Sequence, residues 1–349
     1  MSAPTACTCT LSRWQFQVAE RPAADEIVFA CRRLADGSTI ACPSDGKQQD
    51  AWKTAAPAPG DGLVIAGGYQ ECRGADIGHN QFYAENVLEE LDDAREWFLR
   101  TPSEAGSSAT LLYIPANGTN MATPGVLVAG AVLPQVVEVA GAASFTLRGV
   151  TVTHTAPTYM ASYECPSGGD WAIHRGAAVF VEDSTNVTLE GIVFDQPSGN
   201  AVMFSNAVNS SNIRKCLFDR VGDSAVALLG STALMLGLAS EGSGKFPTAN
   251  VIEANLVDTV GVYGKQTSAY FKSKARANIV RNNVFMNGPR AGVNFNDGSA
   301  GGEVLEGNLI FNFVRESGDH VRKGERLLVT LCNYIGCYER AATVLLHFY

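Results

Sequence analysis

The sequence of 349 residues lacks a long apolar run and an excess of basic charge. It has 26 Lys and Arg against 35 Asp and Glu, a net charge of -9, so it offers no basic stripe to neutralise nucleic-acid phosphates. The longest apolar stretch, residues 225–239, is interrupted by Gly and polar residues and is shorter than the roughly 18 residues of a membrane helix. We therefore expect neither a nucleic-acid partner nor a membrane span.

The first residues also lack the features of a secretory signal. Residues 1–14 have Arg13 as their only basic residue and contain no continuous apolar core. This predicts a cytoplasmic protein if the chain is complete at its N-terminus and an extracellular one if it is not. Glycosylation triplets at Asn117, Asn186 and Asn209 favour the second case, although such triplets also arise by chance.

The nine cysteines show no CxxC pair with matching histidines. The spacing therefore predicts no structural zinc site. Cys31 and Cys42 are candidates for a disulfide in an oxidising compartment, and buried or free thiols are the alternative interpretation.

The chain is rich in glycine, with 35 residues, and it contains a short sequence pattern that repeats. From about residue 137 a short apolar strand, a polar turn and a second strand bounded by Gly or Asn recur six times. The anchors are residues 149–152, 191–194, 215–218, 254–257, 282–285 and 307–310. Their steps of 42, 24, 39, 28 and 25 residues give a base period of about 24, with insertions in the two long steps. The period-two apolar pattern excludes helical repeats, and the missing LxxLxLxxN phrase excludes leucine-rich repeats, which leaves a parallel β-helix.

In a parallel β-helix each coil lies about 4.8 Å above the previous one, so equivalent residues form columns. Aligning the anchors places Asn255, Asn283 and Asn308 in one column. Stacked amides can hydrogen-bond from coil to coil, so we expect a structural role for these three asparagines.

The repeat divides the chain into three predicted regions. We expect residues 1–125 to form a mostly β N-terminal cap or lead-in, residues 126–320 the β-helix, and residues 321–349 an atypical C-terminal tail. Within the cap the sequence predicts a helical turn over residues 87–91, a loop over 55–60, and strands near residues 14–18, 26–29, 63–65 and 110–114.

Polar residues on the later coils fall at regular offsets from the anchors. Each anchor ends in an apolar residue, from which the offsets are counted. Five residues after such an end lie Asp223, Arg290 and Arg315, and six residues after it lie Asn200, Ser224, Tyr263 and Glu316. The spacing predicts two adjacent polar columns on one sheet. Carboxylates beside Arg, His, Tyr and Trp are typical of glycosidic chemistry, in which one group protonates the leaving oxygen and another attacks or activates water. The alternative for any single residue is a turn cap or a solvated ion pair.

Five longer motifs carry a family resemblance. They are residues 153–158 (THTAPT), 166–176 (PSGGDWAIHRG), 222–225 (GDSA), 287–298 (NGPRAGVNFNDG) and 315–320 (RESGDH). These motifs resemble pectin-lyase-like β-helix proteins related to glycoside hydrolase family 141, over roughly residues 80–320. The resemblance implies an all-β, single-stranded, right-handed parallel β-helix. It also implies activity on plant polysaccharides, including α-L-fucosidase and xylanase activities, through carboxylates and without an organic cofactor.

The resemblance and the polar groups together define a candidate site. Asp297 and Asp319 are the first candidates for the acid and its nucleophile or base partner, with Glu316 as a third carboxylate. The expected substrate contacts are Arg290, His174, Trp171, Asp170, Tyr263, Lys265, Asp223, Asn294 and His320. The expected partner is a polysaccharide or oligosaccharide, and no metal or other cofactor is expected.

Two departures from the family pattern leave alternatives open. The fourth coil reads Tyr263-Gly264-Lys265-Gln266 where a Glu is expected before the lysine, which removes one carboxylate. After His320 the usual continuation is replaced by a tail, which is either read from an intron or a genuine cap. A glycoside hydrolase is therefore the first hypothesis. A non-catalytic glycan- or protein-binding β-helix, such as a truncated inactive relative, and a polysaccharide lyase or epimerase are the alternatives. The sugar, the linkage, the stereochemical outcome and the oligomeric state stay open.

Overall fold

The computed structural model describes residues 14–20, 28–33, 86–100, 109–116, 119–124, 126, 128–159, 161–164, 171–235, 245–296 and 301–316. The chain divides into two compact units, with the boundary between Val132 and Leu133. The predicted strand at residues 63–65, the loop at 55–60, Cys42, Asn117 and the tail at 321–349 lie outside the described residues.

The first unit contains two antiparallel strand pairs. β1 (Trp14–Glu20) pairs with β2 (Val28–Arg33), and β3 (Trp97–Arg100) pairs with β4 (Thr110–Tyr113). A 3-10 turn covers Leu88–Glu90. The predicted strands near residues 14–18 and 110–114 and the helical turn at 87–91 are confirmed, and the strand expected at 26–29 begins only at Val28.

The second unit is built from three parallel sheets of six strands each. In chain order its strands are β5 (Val137–Ala140), β6 (Phe145–Arg148), β7 (Thr151–Thr153), β8 (Val179–Glu182), β9 (Val187–Glu190), β10 (Val193–Asp195), β11 (Val202–Ser205), β12 (Asn212–Arg214), β13 (Leu217–Asp219), β14 (Val226–Leu229), β15 (Val251–Glu253), β16 (Leu256–Asp258), β17 (Ser268–Ser273), β18 (Ile279–Arg281), β19 (Val284–Met286), β20 (Ala291–Phe295), β21 (Val304–Glu306) and β22 (Leu309–Phe311). A short helix, α1 (Thr232–Met235), lies between β14 and β15.

Successive strands of the unit go to three different sheets, and every third strand returns to the same sheet. The first sheet contains β7, β10, β13, β16, β19 and β22, the second β5, β8, β11, β14, β17 and β20, and the third β6, β9, β12, β15, β18 and β21. Each coil therefore contributes one strand to each sheet, which is a parallel β-helix. The six predicted anchors all lie on the first sheet, where Val152, Phe194, Phe218, Val257, Phe285 and Ile310 pair in register. The predicted fold class and repeat alignment are confirmed.

The core lies inside the coils because the strands turn every second side chain inward. On the three-residue strands of the first sheet the central residue is buried and its neighbours are more exposed. Phe194 and Phe218 stack with ring centroids 4.7 Å apart. Full burial of each such side chain contributes about 1.5–3 kcal/mol.

The predicted asparagine column is a hydrogen-bonded ladder. Asn255 Nδ2 donates to Asn283 Oδ1 at 3.0 Å, and Asn283 Nδ2 donates to Asn308 Oδ1 at 2.9 Å. Each Oδ1 also accepts the backbone N–H of the preceding coil, and Cys216, a buried free thiol, donates its own N–H to Asn255 Oδ1 at 3.0 Å. The structural interpretation of these asparagines is confirmed.

A second ladder, which the sequence analysis did not predict, follows the turn before the third sheet. Asn250 Nδ2 donates to Asn278 Oδ1 at 3.0 Å, and Asn278 Nδ2 donates to Glu303 Oε1 at 3.0 Å. The same oxygen accepts from Lys272 Nζ at 3.0 Å, and both side chains of this ion pair are buried. The ladder therefore ends in a buried charge pair inside the coils.

Two long insertions interrupt the coils, as the long steps predict. The first lies between β7 and β8, and its residues Trp171, Ile173 and Ala177 pack on the outer face of the second sheet. The sheet side chains that they cover include Met203 and Phe271. The second insertion lies between β14 and β15 and contains α1. The first insertion brings polar residues onto the outer face of the second sheet.

Candidate functional site

Asp223 is a buried carboxyl group in the turn before β14. Its Oδ2 accepts a hydrogen bond from the Tyr163 hydroxyl at 3.0 Å, and the residue is 6% exposed. A Cβ on Gly264 would lie 2.2 Å from Asp223 Oδ1, so only glycine fits beside this oxygen without a shift. Burial raises the pKa of Asp223 to about 6, against the opposite effect of the Tyr163 hydrogen bond. A carboxyl group in such surroundings can keep its proton in mildly acidic solution and can donate it.

His174 lies beside Tyr163, the residue that donates a hydrogen bond to this acid. Its ring centroid is 5.9 Å from that of Tyr163, and its Nδ1 lies 2.8 Å from the Ser162 carbonyl oxygen. Because a carbonyl can only accept, Nδ1 carries the proton in this pair and Nε2 is left as an acceptor. Burial lowers the pKa of His174, although the Ser162 carbonyl and the charge of Glu164 favour the protonated form. The imidazole is therefore suited to act as a neutral hydrogen-bonding group.

Residues 261–266 form a loop that runs over Asp223. Gly261 N donates to Asp223 O at 3.1 Å and Tyr263 N donates to Gly222 O at 2.9 Å. The prediction that Tyr263 continues the column of Asn200 and Ser224 is wrong, because this loop inserts extra residues after the fourth-coil strand.

The position predicted for Tyr263 is taken by Ser268. Ser224 N donates to Asn200 Oδ1 and Ser268 N donates to Ser224 Oγ, both at 3.1 Å. These buried side chains tie successive coils together. In the other predicted column, strand register places Asp223, Thr267 and Arg290 at equivalent positions of three successive coils. Two coil steps separate Asp223 from Arg290, which corresponds to about 10 Å.

Trp171 and Arg290 form a stack on the second sheet. The Trp171 ring lies on Phe271 with centroids 5.4 Å apart, and the Arg290 guanidinium lies 4.8 Å from the Trp171 centroid. Trp171 is 3% exposed and Arg290 is 9% exposed. Both faces of the indole are therefore covered, so this tryptophan packs the insertion onto the sheet and offers no open face for a sugar ring.

The exposed part of the site consists of a tyrosine pair and an ion pair. The rings of Tyr159 and Tyr263 have centroids 5.4 Å apart, and Tyr263 is 38% exposed. Lys265 Nζ lies 3.1 Å from Glu316 Oε2, and both side chains are exposed. Aromatic surface beside charged groups that solvent can reach is suited to bind a polar ligand.

The remaining expected residues are placed in part. Asn294 lies on β20 in register with Phe271, on the same outer face as Trp171. Asp297, Asp319, Asp170 and His320 lie outside the described residues, so their assignment stays a prediction.

The sequence analysis did not identify Tyr159 and Tyr163 as site residues, and it placed Arg175 in a polar motif without assigning it a role. Arg175 holds Glu164 through two nitrogens at 2.8 Å each and also donates to Ser205 Oγ, which fixes the insertion on the sheet. Tyr163 meets Asp223 across 60 residues of sequence, a separation that no local motif signals.

The described residues contain neither a metal-binding cluster nor a membrane-spanning helix. Among them, no group of three or more His, Cys, Asp and Glu side chains is arranged to hold a metal ion. No helix in the same part of the chain is both long enough and apolar enough to cross a membrane.

Comparison with known proteins defines the class of this protein. A family model described as "Right handed beta helix region" matches residues 135–334, more than half of the chain. The chain belongs to this right-handed β-helix family. It is also similar to a solved structure named "Glycoside hydrolase", with 16% identity and a TM-score of 0.45 over 66% of this chain and 44% of that one. The chain thus spans less than half of that protein. No curated protein matches it.

Proposed function

We propose that this β-helix protein hydrolyses glycosidic bonds of a polysaccharide or oligosaccharide on the outer face of its second sheet. One observation carries the proposal. Asp223 is a buried acid with a pKa raised to about 6. The exposed Tyr263 lies close to it, because the Tyr263 N–H donates to the carbonyl of Gly222, the residue directly before Asp223. A protonated carboxyl group beside an open aromatic surface matches the needs of sugar cleavage, in which an acid protonates the leaving oxygen.

In this proposal Asp223 is the general acid. It gives its proton to the glycosidic oxygen as the bond to the anomeric carbon breaks, and water finally supplies hydroxide to that carbon and a proton to the second carboxylate or back to Asp223. The Tyr159 and Tyr263 rings bind the sugar faces. The resemblance to glycoside hydrolase family 141 supports Asp297 and Asp319 as candidates for the second carboxylate.

A non-catalytic glycan- or protein-binding β-helix is the second candidate. It is favoured by the ion pairs of two other described carboxylates, those of Glu164 and Glu316. Glu164 is held by Arg175 and Glu316 by Lys265, so neither is presented beside the Asp223 carboxyl as a ready partner. A hydrolase therefore needs Asp297 or Asp319, whereas a binding protein needs only the tyrosine surface.

The test is a screen of plant and algal polysaccharides for release of reducing ends. Removing a general acid lowers the rate by about 100- to 10,000-fold, so Asp223→Asn is expected to lose hydrolysis while it still binds the glycan. Asp219→Asn, a partly exposed aspartate on β13, is the matched control and is expected to keep full activity. Asp297→Asn and Asp319→Asn are tested in parallel for the second carboxylate.

Each outcome of the screen separates the candidates. Hydrolysis by Asp223→Asn at the rate of the unmodified protein rejects Asp223 as the acid. Binding without product release supports the glycan-binding alternative. A product that absorbs in the ultraviolet, and is therefore unsaturated, identifies a lyase.

A further inference from the structure

Within the described residues, the sixth coil forms the C-terminal edge of the solenoid. β20, β21 and β22 are the last strands of their three sheets. The core is less covered at this edge, because Leu305 is half-buried while its equivalents on the two preceding strands of the third sheet, Ile252 and Val280, are 0% exposed. An edge strand presents a row of N–H and C=O groups, so the end of a solenoid needs a further segment to cover it.

The asparagine ladder repeats one bonding scheme at each step toward this edge. The backbone N–H and the Nδ2 group of one asparagine both donate to Oδ1 of the next. Both distances are 3.0 Å from Asn255 to Asn283, and they are 3.1 and 2.9 Å from Asn283 to Asn308. The Nδ2 of the next asparagine also donates to the carbonyl three residues before the previous one, from Asn283 to Ile252 at 2.9 Å and from Asn308 to Val280 at 2.7 Å. Asn308 is the last member of the ladder among the described residues, so a further step requires an asparagine on the next coil.

The sequence supplies an asparagine at that step. The two steps of the ladder are 28 and 25 residues, and Asn333 lies 25 residues after Asn308. Asn333 is followed by a Tyr and an Ile, as Asn308 is followed by a Leu and an Ile. The described residues end at Glu316, and the match to the right-handed β-helix family continues through residue 334. The repeat therefore extends by one more period in the sequence.

The residues on either side of Asn333 have the composition of strands. The same step of 25 residues aligns residues 329–331 with β21 and residues 334–336 with β22. The central residues of β21 and β22 face the core, so the aligned Thr330 and Ile335 take inward positions and Tyr334 takes an outward one. β-Branched and aromatic side chains favour strands, and all three belong to these types.

We propose that residues 329–335 pair with the edges of β21 and β22 as the next coil of the solenoid. Asn333 is then the fourth asparagine of the ladder. Its Oδ1 accepts the backbone N–H and the Nδ2 group of Asn308, and its Nδ2 donates to the Leu305 carbonyl. This pairing does not depend on hydrolysis or on glycan binding.

A segment of the same chain fits this edge better than a second molecule does. Residues 317–328 join the segment covalently to the sixth coil, and a short linker gives an effective concentration in the millimolar range. Two copies related by a two-fold axis would pair β22 with itself in antiparallel orientation, which cannot continue a parallel ladder. A head-to-tail copy would present Val150 at the ladder position, and this side chain has no acceptor.

Hydrogen–deuterium exchange of the full chain, resolved to single amides by NMR, tests the pairing. The Asn308 amide is expected to exchange at least about 100-fold more slowly than an unstructured peptide. Asn333→Ala is expected to lower this protection by about tenfold or more, because it removes the acceptor. The matched control is Asn308→Ala, which is expected to do the same to the Asn283 amide, since that N–H donates to Asn308 Oδ1.

Three results of this experiment overturn the proposal. Exchange of the Asn308 amide at the rate of an unstructured peptide in the unmodified protein shows that the edge is open. Protection that Asn333→Ala leaves unchanged shows that another group accepts this N–H. Protection that rises with protein concentration identifies a second copy as the occupant of the edge.

The alternation of inward and outward positions gives a second measurement, which also applies if Asn333→Ala does not fold. Ile335→Asp places a charge at an inward position and is expected to lower Tm by about 4 °C or more. Tyr334→Asp, its matched control at the neighbouring outward position, is expected to stay within about 1 °C of the unmodified protein. An Ile335→Asp chain that does not fold beside a normally folded Tyr334→Asp counts as the larger loss. Equal Tm values, or a larger loss for Tyr334→Asp, overturn the proposed register.

Discussion

The Asp223 carboxyl group makes the stability of the fold depend on pH. Its pKa rises from 3.8 to about 6 when burial removes it from water. A difference of about two pKa units corresponds to about 3 kcal/mol, at about 1.4 kcal/mol per unit. Because the folded state binds this proton more tightly than the unfolded state, the contribution is fully present below about pH 4. It is lost as the pH rises through about 6.

The substitution Asp223→Asn isolates this effect. An amide does not ionise, and its carbonyl oxygen still accepts the hydrogen bond from the Tyr163 hydroxyl. Above about pH 6 we expect the variant to be more stable than the unmodified protein by about 3 kcal/mol, or about 6–12 °C in Tm. Near pH 4 we expect the two proteins to be equally stable.

The measurement is urea unfolding, followed by tryptophan fluorescence, at several pH values between about 4 and 8. Asp219→Asn serves as the control, because this aspartate is on the surface in an ion pair with Arg220. If the unfolding free energies of Asp223→Asn and the unmodified protein stay parallel over this range, burial does not control the ionisation of Asp223. The assignment of Asp223 as the proposed acid then fails with it.

Three further substitutions test the packing that supports the site. Lys272→Met leaves the buried Glu303 carboxylate without its cation and is expected to cost about 3–5 kcal/mol in urea unfolding; adding Glu303→Leu should restore most of this loss, and no recovery contradicts the reasoning. Asn283→Ala breaks the amide ladder and is expected to cost about 1–3 kcal/mol for each buried group left unpaired, so a neutral result in the same assay refutes a stabilising ladder. Gly264→Ala places a methyl group against Asp223 Oδ1 and is expected to lower Tm and the proposed hydrolysis, whereas unchanged values of both show that the loop adapts freely.

The β-helix and its inner column could be predicted because each coil repeats one local phrase. The anchor residues recur with a period-two apolar pattern, and their alignment by position alone matches the strand register from Val152 to Ile310. The asparagine column followed from the same alignment. A repeat lets the sequence predict contacts between distant residues, because each residue pairs with the equivalent residue one period away.

A ladder of ion pairs follows from the same repeat, although the sequence analysis did not predict it. The residues directly before the six anchors alternate in charge, and they are Arg148, Glu190, Arg214, Glu253, Arg281 and Glu306. On the outer face of the third sheet Glu190 bridges Arg148 at 2.7 Å and Arg214 at 3.2 Å, and Arg281 bridges Glu253 at 2.7 Å. Alternating charge at one repeat position therefore predicts ion pairs between coils.

The candidate site could be predicted only in part because insertions break the repeat. Tyr263 was placed by counting from an anchor, and the loop at residues 261–266 shifted it out of the column. The contact of Tyr163 with Asp223 joins an insertion to a turn. Neither the period of the repeat nor the spacing of a motif predicts such a contact. The residue type of Trp171 predicts a surface for binding a sugar ring. The structure instead buries Trp171 against Phe271 and Arg290, where it packs the insertion onto the sheet.

The pairing of buried polar groups differs between the turns of the coils and the outer face of the second sheet. Inside the turns, side chains such as Asn255 and Asn283 pair fully, because each coil supplies the partner of the next. On the outer face of the second sheet Asn294 and Asn296 gain no such partner, and there the long insertion departs from the repeat. An unpaired buried polar group costs about 1–3 kcal/mol, so these outer-face amides reduce the stability that the repeat supplies.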